Sequence, residues 1–419
     1  MSWIKDLDKI ERFLDKYDKE RRFRFKGNLK LRFEKYEDKI LSKIVDEAAG
    51  PYLNQVNKWI KYFRDKIDSL KSRDSITDIL LSRELRSFII DPKRHLKKKI
   101  IFYFHDLLRG ILSLDEFIEK AYPAIKTSLR TNMRTVYQDW ILLTILDYIL
   151  EKGGYIVYPE NNVISLERSK MQKLGWIPPN IVLRIRGWGY ISIFIEAPRP
   201  VGWGDSVELK NIWKLYTTLR PDIMIYGGRV MNILNLSSEP PVKRPDLIIE
   251  VKELDDWYKR VREVRGPLAK PLSIEEWRSM WIEGLWSGLA GILGVKRETR
   301  ESVKRGRGVR LKDVDIVRLY NRFYNPRDMI VITKAKTPRD IKKILEDEGI
   351  SVYDNIGFKP DKLINVVETL CEYAYSDDIT IRIDGKLYEM IKEAAKSLNV
   401  PEEDLVFEIL ERGLKEFIR

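Results

Sequence analysis

Residues 244–254 read RPDLIIEVKEL, and the fold turns on how this stretch is interpreted. An apolar run of this length behind Pro-Asp predicts a β-strand, whose side chains alternate between two faces. One face carries Asp246, Ile248, Glu250 and Lys252; the other carries Leu247, Ile249 and Val251. A glutamate and a lysine at the end of an apolar strand are costly to bury unless they are paired or hold a cation. Asp246 cannot share that cation with Glu250, because four residues of strand separate them by about 13 Å. A second stretch supplies a better partner. Residues 220–228 read RPDIMIYGG, and they predict a neighbouring strand opened by Asp222. An antiparallel register that sets Tyr226 opposite Asp246 also sets Asp222 opposite Glu250, with Cβ atoms about 5 Å apart. Asp222, Glu250 and Lys252 then converge at one end of a sheet, and Asp246 is a bystander. The plainer alternative is an ion-pair cluster at the strand ends.

Bulk properties narrow the chemistry. At 419 residues the chain is long enough for two or three domains. A single cysteine, Cys371, excludes an internal disulfide framework, and His95 and His105 lack the spaced partners of a zinc site. A metal would therefore rest on carboxylates, which favours Mg²⁺, with Mn²⁺ as the alternative. The net charge of +13 points to a polyanion, nucleic acid first. A hyperthermophile's charge-rich surface accounts for the same figure. No apolar run approaches the length of a membrane span, and the charged N-terminus is unlike a signal peptide. The expectation is a cytoplasmic protein without a membrane partner.

Working outward, three regions are predicted. Residues 1–128 read as mainly helical, with Pro51, Pro92 and Pro123 separating helices. Near the start, RRFRFKGNLKLRFEK alternates with period two around Gly27-Asn28, which fits a basic β-hairpin that could track phosphates and equally a solvated charged face over an apolar one. Residues 129–375 alternate between helix and strand: a helix ending at Gly153-Gly154, the strand YIVYP, a hairpin turning at Gly187-Trp188-Gly189, and the two Arg-Pro-Asp strands. A helix capped by Ser273 and Glu276 follows, then MIVITKA, a helix from Thr337-Pro338, and ISVYDNI. This order predicts an α/β sandwich around a mixed sheet. Glu196, ending SIFIEA, is a further candidate for the site. A loop with Arg305 and Arg307 among its cations is a candidate phosphate contact. Residues 376–419 read as a strand and two helices.

Asp222, with the downstream Glu250-Val251-Lys252, resembles the signature of the PD-(D/E)xK nuclease superfamily. YQDW at 137–140, SIFIEAPRP and LRPDI are similar to McrBC-associated nucleases, and the tail from Met329 to Mrr-like ones. The resemblance implies a restriction-endonuclease-like core that cleaves DNA. In it Asp222 and Glu250 hold Mg²⁺, and Lys252 orients the attacking water. Gln138 stands where the family often has a helix glutamate, with Asp139 beside it. The last segment resembles a ribbon-helix-helix module, which implies a homodimer, with Thr380 and Arg382 as candidate DNA readers. Its acid-rich composition favours dimerisation over reading. Whether a partner ATPase acts with the chain is not legible in the residues.

Overall fold

The structure is a computed structural model. It describes residues 2–73, 75–167, 176–197, 220–235, 242–264, 309–374 and 384–398, with single positions beyond. Residues 1–375 form one compact unit and residues 376–419 a second.

Helices dominate the first third of the chain: α1 (Ile4–Tyr17), α2 (Gly27–Lys71), α3 (Arg83–Ile90), α4 (Pro92–Leu108) and α5 (Leu114–Glu151). Side-chain caps start three of them. Ser82 accepts from the Leu85 N–H, Asp91 accepts from the Arg94 N–H ahead of Pro92, and Ser113 and Glu116 close a reciprocal capping box. Pro92 therefore opens a helix as expected, whereas Pro51 and Pro123 lie inside α2 and α5. Long buried stripes on both helices, such as Ile40, Ile44, Phe63 and Leu70 on α2, outweigh the one hydrogen bond each proline forfeits.

The expected basic hairpin is not formed. Residues 21–26 form no regular secondary structure, and α2 begins at Gly27, where the turn was anticipated. The alternation in RRFRF is real as an in-and-out pattern, but among the described residues no second strand answers it. The Asp18 carboxylate takes the N–H groups of Arg22 and Phe23 instead (3.1 and 2.7 Å). Beyond Gly27 the residues follow helical spacing through Phe33 and Ile40, and Leu31 is left 64% exposed.

The sheet has seven strands in the order β11-β10-β7-β6-β5-β4-β2. These are β2 (Tyr155–Tyr158), β4 (Ile181–Ile185), β5 (Gly189–Ile195), β6 (Ile223–Gly227), β7 (Leu247–Lys252), β10 (Asp328–Thr333) and β11 (Ile350–Tyr353). β7, β10 and β11 are parallel, and the remaining pairs are antiparallel. Strand β7 is central, and every residue in it is buried. Leu247, Ile249 and Val251 join the core that runs through α5 and the N-terminal helices. Ile248 joins a second core, with Met224, Tyr226 and helix α6 (Asp313–Tyr324). The division anticipated at 128/129 falls inside α5, and the helical region and the sheet share one continuous core.

Two small sheets were not anticipated. β1 (Asp78–Leu80) pairs with β3 (Val163–Ser165) in parallel, and β8 (Val261–Val264) pairs with β9 (Val309–Lys312) antiparallel. Helices α7 (Arg339–Glu346) and α8 (Ile364–Cys371) complete the first unit.

In the second unit α9 (Gly385–Leu398) is capped by Asp384, which accepts from the N–H groups of Lys386 and Leu387. It buries Ile391 and Ala395 with Leu405. The expected strand, with Thr380 and Arg382, lies outside the described residues. So do the helix from Ser273 and the loop with Arg305 and Arg307.

Candidate active site

The register between β6 and β7 places Ile223 opposite Ile249 and Met224 opposite Ile248. One step further along the same ladder, Asp222 stands opposite Glu250, as the sequence pattern requires. Side chains take over the hydrogen bonding beyond the last rung. The Val251 N–H donates to Asp222 Oδ2 (2.8 Å), and the Asp222 N–H donates to Glu250 Oε2 (3.1 Å). Each carboxylate is thereby tied to the backbone of the strand beside it. On the edge opposite β7, Glu196 closes β5 with φ +45° and donates its N–H to the Asp222 carbonyl (2.9 Å).

Lys252 follows Glu250 on the same face, and its Nζ donates to Glu250 Oε1 at 2.7 Å. Only 2% of Lys252 is exposed, and its ammonium lies 5.7 Å from the centre of the Trp257 ring. A buried lysine needs such partners to stay charged. From the other side α5 delivers Gln138, whose Nε2 donates to Asp222 Oδ1 at 2.6 Å. Tyr137 and Trp140 on this turn pack against Phe358, with ring centres 5.3 and 4.9 Å away, and Trp59 of α2 sits 5.9 Å from Tyr137. This aromatic wall fixes the position of Gln138.

Four residues named from the sequence therefore meet: Asp222, Glu250, Lys252 and Gln138. Asp246 does not join them. It lies at the far end of β7, where Oδ2 accepts from the Gly227 N–H (2.8 Å) and Arg327 approaches Oδ1 (3.3 Å). Arg244 is a structural residue whose guanidinium donates to the carbonyls of Asn325 and Pro326. Asp139 is buried beside Gln138.

The electrostatics of the cluster are unbalanced. Two buried carboxylates face one ammonium. Burial, and next the Glu250 carboxylate, push Asp222 up to about 7, against the pull of Lys252, the Val251 N–H and Arg134. Arg134 stands one helical turn before Gln138.

The donors present suit a hard cation. Asp222 and Glu250 offer only carboxylate oxygen, and Mg²⁺ commonly takes one or two carboxylates and completes its shell with water and phosphate. Among the described residues, no group of three or more His, Cys, Asp or Glu side chains is arranged to hold a metal, so the pair stands alone. Buried polar atoms around the pair also lack hydrogen-bond partners among the described residues. They are Arg134 Nε, Tyr137 Oη, Gln138 Oε1, Glu253 Oε1 and Trp257 Nε1. Such atoms are expensive inside a closed core and ordinary where a polar ligand or water binds. Sequence reasoning missed Arg134, Glu253 and Trp257. Arg134 carried a weak signal in its spacing of four from Gln138. Trp257 carried none, because a tryptophan five residues past a strand reads as core.

No protein-family model matches the chain, nor does any curated protein or solved structure.

Proposed function

We propose that the chain is a metal-dependent DNA endonuclease with a restriction-endonuclease-like core of the PD-(D/E)xK type. One observation carries this reading: Asp222, Glu250 and Lys252 converge, buried, at the end of two paired central strands. The net charge of +13 supports a polyanionic substrate.

Asp222 and Glu250 would hold the ion, and a bound Mg²⁺ supplies Lewis-acid polarisation of a phosphoryl oxygen. The chain's own residues do the rest. Lys252, fixed by Glu250, orients the attacking water and places positive charge where the phosphate accumulates negative charge. Gln138 holds the Asp222 carboxylate in one rotamer. The aromatic wall of Trp59, Tyr137, Trp140 and Phe358 limits the access of water from the α5 side. A C-terminal ribbon-helix-helix dimer would bring two such sites together for double-strand cleavage. The second unit's small described core, with Leu387, Met390 and Leu398 exposed along α9, supports a partner for it.

A second reading is favoured by Gln138, which replaces a carboxylate ligand and occupies an oxygen of Asp222. In that reading the chain is a DNA-binding or assembly protein on a degenerate nuclease fold. Incubating the chain with supercoiled, linear, branched and single-stranded DNA in Mg²⁺ or Mn²⁺ separates the two. Cleavage that stops on chelation is expected. Divalent-independent cleavage, or none of any substrate alongside no calorimetric binding of either ion, overturns the enzymatic reading.

A further inference from the structure

Residues 19–32, KERRFRFKGNLKLR, hold seven basic side chains and one acidic one, a net +6 out of +13 for the whole chain. Within them, residues 21–26 form an ordered strap rather than a hairpin. Arg21 and Phe23 sit at φ +53° and +56°, a region that side-chain-bearing residues adopt only when their surroundings hold them there. The holding groups are identifiable. Asp18 accepts from two strap N–H groups. Phe23 stacks on Phe33 at 5.5 Å and on His105 at 4.7 Å, and Phe25 packs on Phe33 at 4.9 Å and on Phe13 at 5.4 Å. Arg109 covers the outer face of Phe23 at 4.9 Å and donates to the Arg21 carbonyl.

With the phenylalanines turned inward, Arg22, Arg24 and Lys26 are turned out, and all three are exposed. Arg24 and Lys26 form no ion pair among the described residues, and Arg22 meets only the exposed Glu20. A basic run on α4 differs in part: Lys93, Lys97 and Lys99 are paired with Asp46, Asp38 and Glu84, while Arg94 and Lys98 form no ion pair among the described residues. Cations that are ordered, exposed and left without carboxylates suit repeated phosphates. Each one that meets a phosphate releases a counterion.

We propose that this strap is a pre-ordered contact for the phosphate backbone of duplex DNA, remote from the carboxylate site. Helix α2 leaves the strap at Gly27 and reaches Trp59, which packs on Tyr137 beside the site. Thirty-two residues of helix span about 48 Å, the length of about 14 base pairs. The strap takes its ligand class from the function proposed above, but it binds without chemistry.

The test is equilibrium binding of the full chain to a 40-base-pair duplex by fluorescence anisotropy in EDTA, across a salt series. The triple variant Arg22→Gln, Arg24→Gln, Lys26→Gln is expected to flatten the slope of log Kobs against log[salt] by about 2 to 3. It should also weaken binding at low salt at least tenfold. Arg22→Lys with Arg24→Lys, which keeps the charge, should restore the slope. An unchanged slope in the triple variant overturns the proposal. So does lost binding to phosphatidylserine vesicles with DNA binding intact, which would make the strap a lipid contact. A chain that never cleaves DNA but shows the flattened slope removes the nuclease reading and leaves the strap standing.

Discussion

Helix α5 serves two buried carboxylate centres whose surroundings are opposite in charge. Near its C-terminal end, Asp147 accepts from Lys66 Nζ at 2.7 Å and from Arg73 Nε at 2.9 Å. Burial pushes that carboxyl up, but the two cations outweigh it and hold it below the usual carboxylate range. Near the middle of the helix, Gln138 reaches Asp222, where burial and a second carboxylate prevail and the carboxyl rises to about 7. Two cations around one acid make a fastening. Around Asp222, burial and a second acid outweigh Lys252 and Arg134, so the place takes up positive charge readily, as a proton or as a cation. The same fold bears both, and the contrast separates residues that hold the protein together from those suited to chemistry.

The largest effect that tests this contrast falls on activity. Lys252→Met should lower Mg²⁺-dependent cleavage in single-turnover assays by on the order of 10³-fold. Residual activity equal to the parent chain would end the claim for a catalytic lysine. Next comes the fastening. Asp147→Asn leaves Lys66 and Arg73 facing a neutral group and should destabilise the chain by about 3 kcal/mol in urea denaturation at pH 7. Calorimetric Mg²⁺ binding should not change. A loss under about 1 kcal/mol would place Asp147 with ordinary surface pairs.

Dependence on pH should then distinguish the two centres by sign. Asp222 binds its proton more tightly in the folded state. Its contribution without metal is therefore full below about pH 4 and falls as pH climbs to about 7, by at most about 4 kcal/mol. Asp147 runs the other way: its contribution is present above about pH 4 and is lost as acid titrates the lowered group. Thermal melts in EDTA from pH 3 to 8 should show Asp222→Asn flattening the decline between pH 4 and 7. Asp147→Asn should flatten only the acid limb. Parallel curves for both variants would remove the distinction. The smallest effect is on affinity. Gln138→Glu adds a third carboxylate and should tighten Mg²⁺ about tenfold by calorimetry. Unchanged or weaker binding would show that the α5 side chain is no part of the ion's environment.

Much of the site was legible because it rests on a period of two. The alternation in RPDLIIEVK and RPDIMIYGG fixes which side chains share a face, and pairing Asp222 with Glu250 requires only the antiparallel register that β6 and β7 adopt. The same arithmetic set Asp246 aside. Residues brought in by tertiary packing were not legible. Trp257 comes from a turn after β7, and Glu253 is read through Tyr137, whose hydroxyl it pushes up after burial has done so. The hairpin failed for a related reason. Phe23 and Phe25 alternate as a strand would, but a strand needs a neighbour, and the Asp18 carboxylate takes two of the strap's N–H groups locally instead. The pair β1 and β3 was missed because strands of three residues carry too few side chains for a period to show.

The continuity of α5 has a consequence for how this protein can be divided. Strands of the main sheet follow only from Tyr155, and the boundary anticipated between residues 128 and 129 lies within thirty-eight unbroken residues of helix. A fragment begun there would lose the partners of Asp147 and the ring that Trp59 lays against Tyr137. Whatever exchanges genes or designs truncations must therefore carry the helical layer and the sheet as one heritable piece.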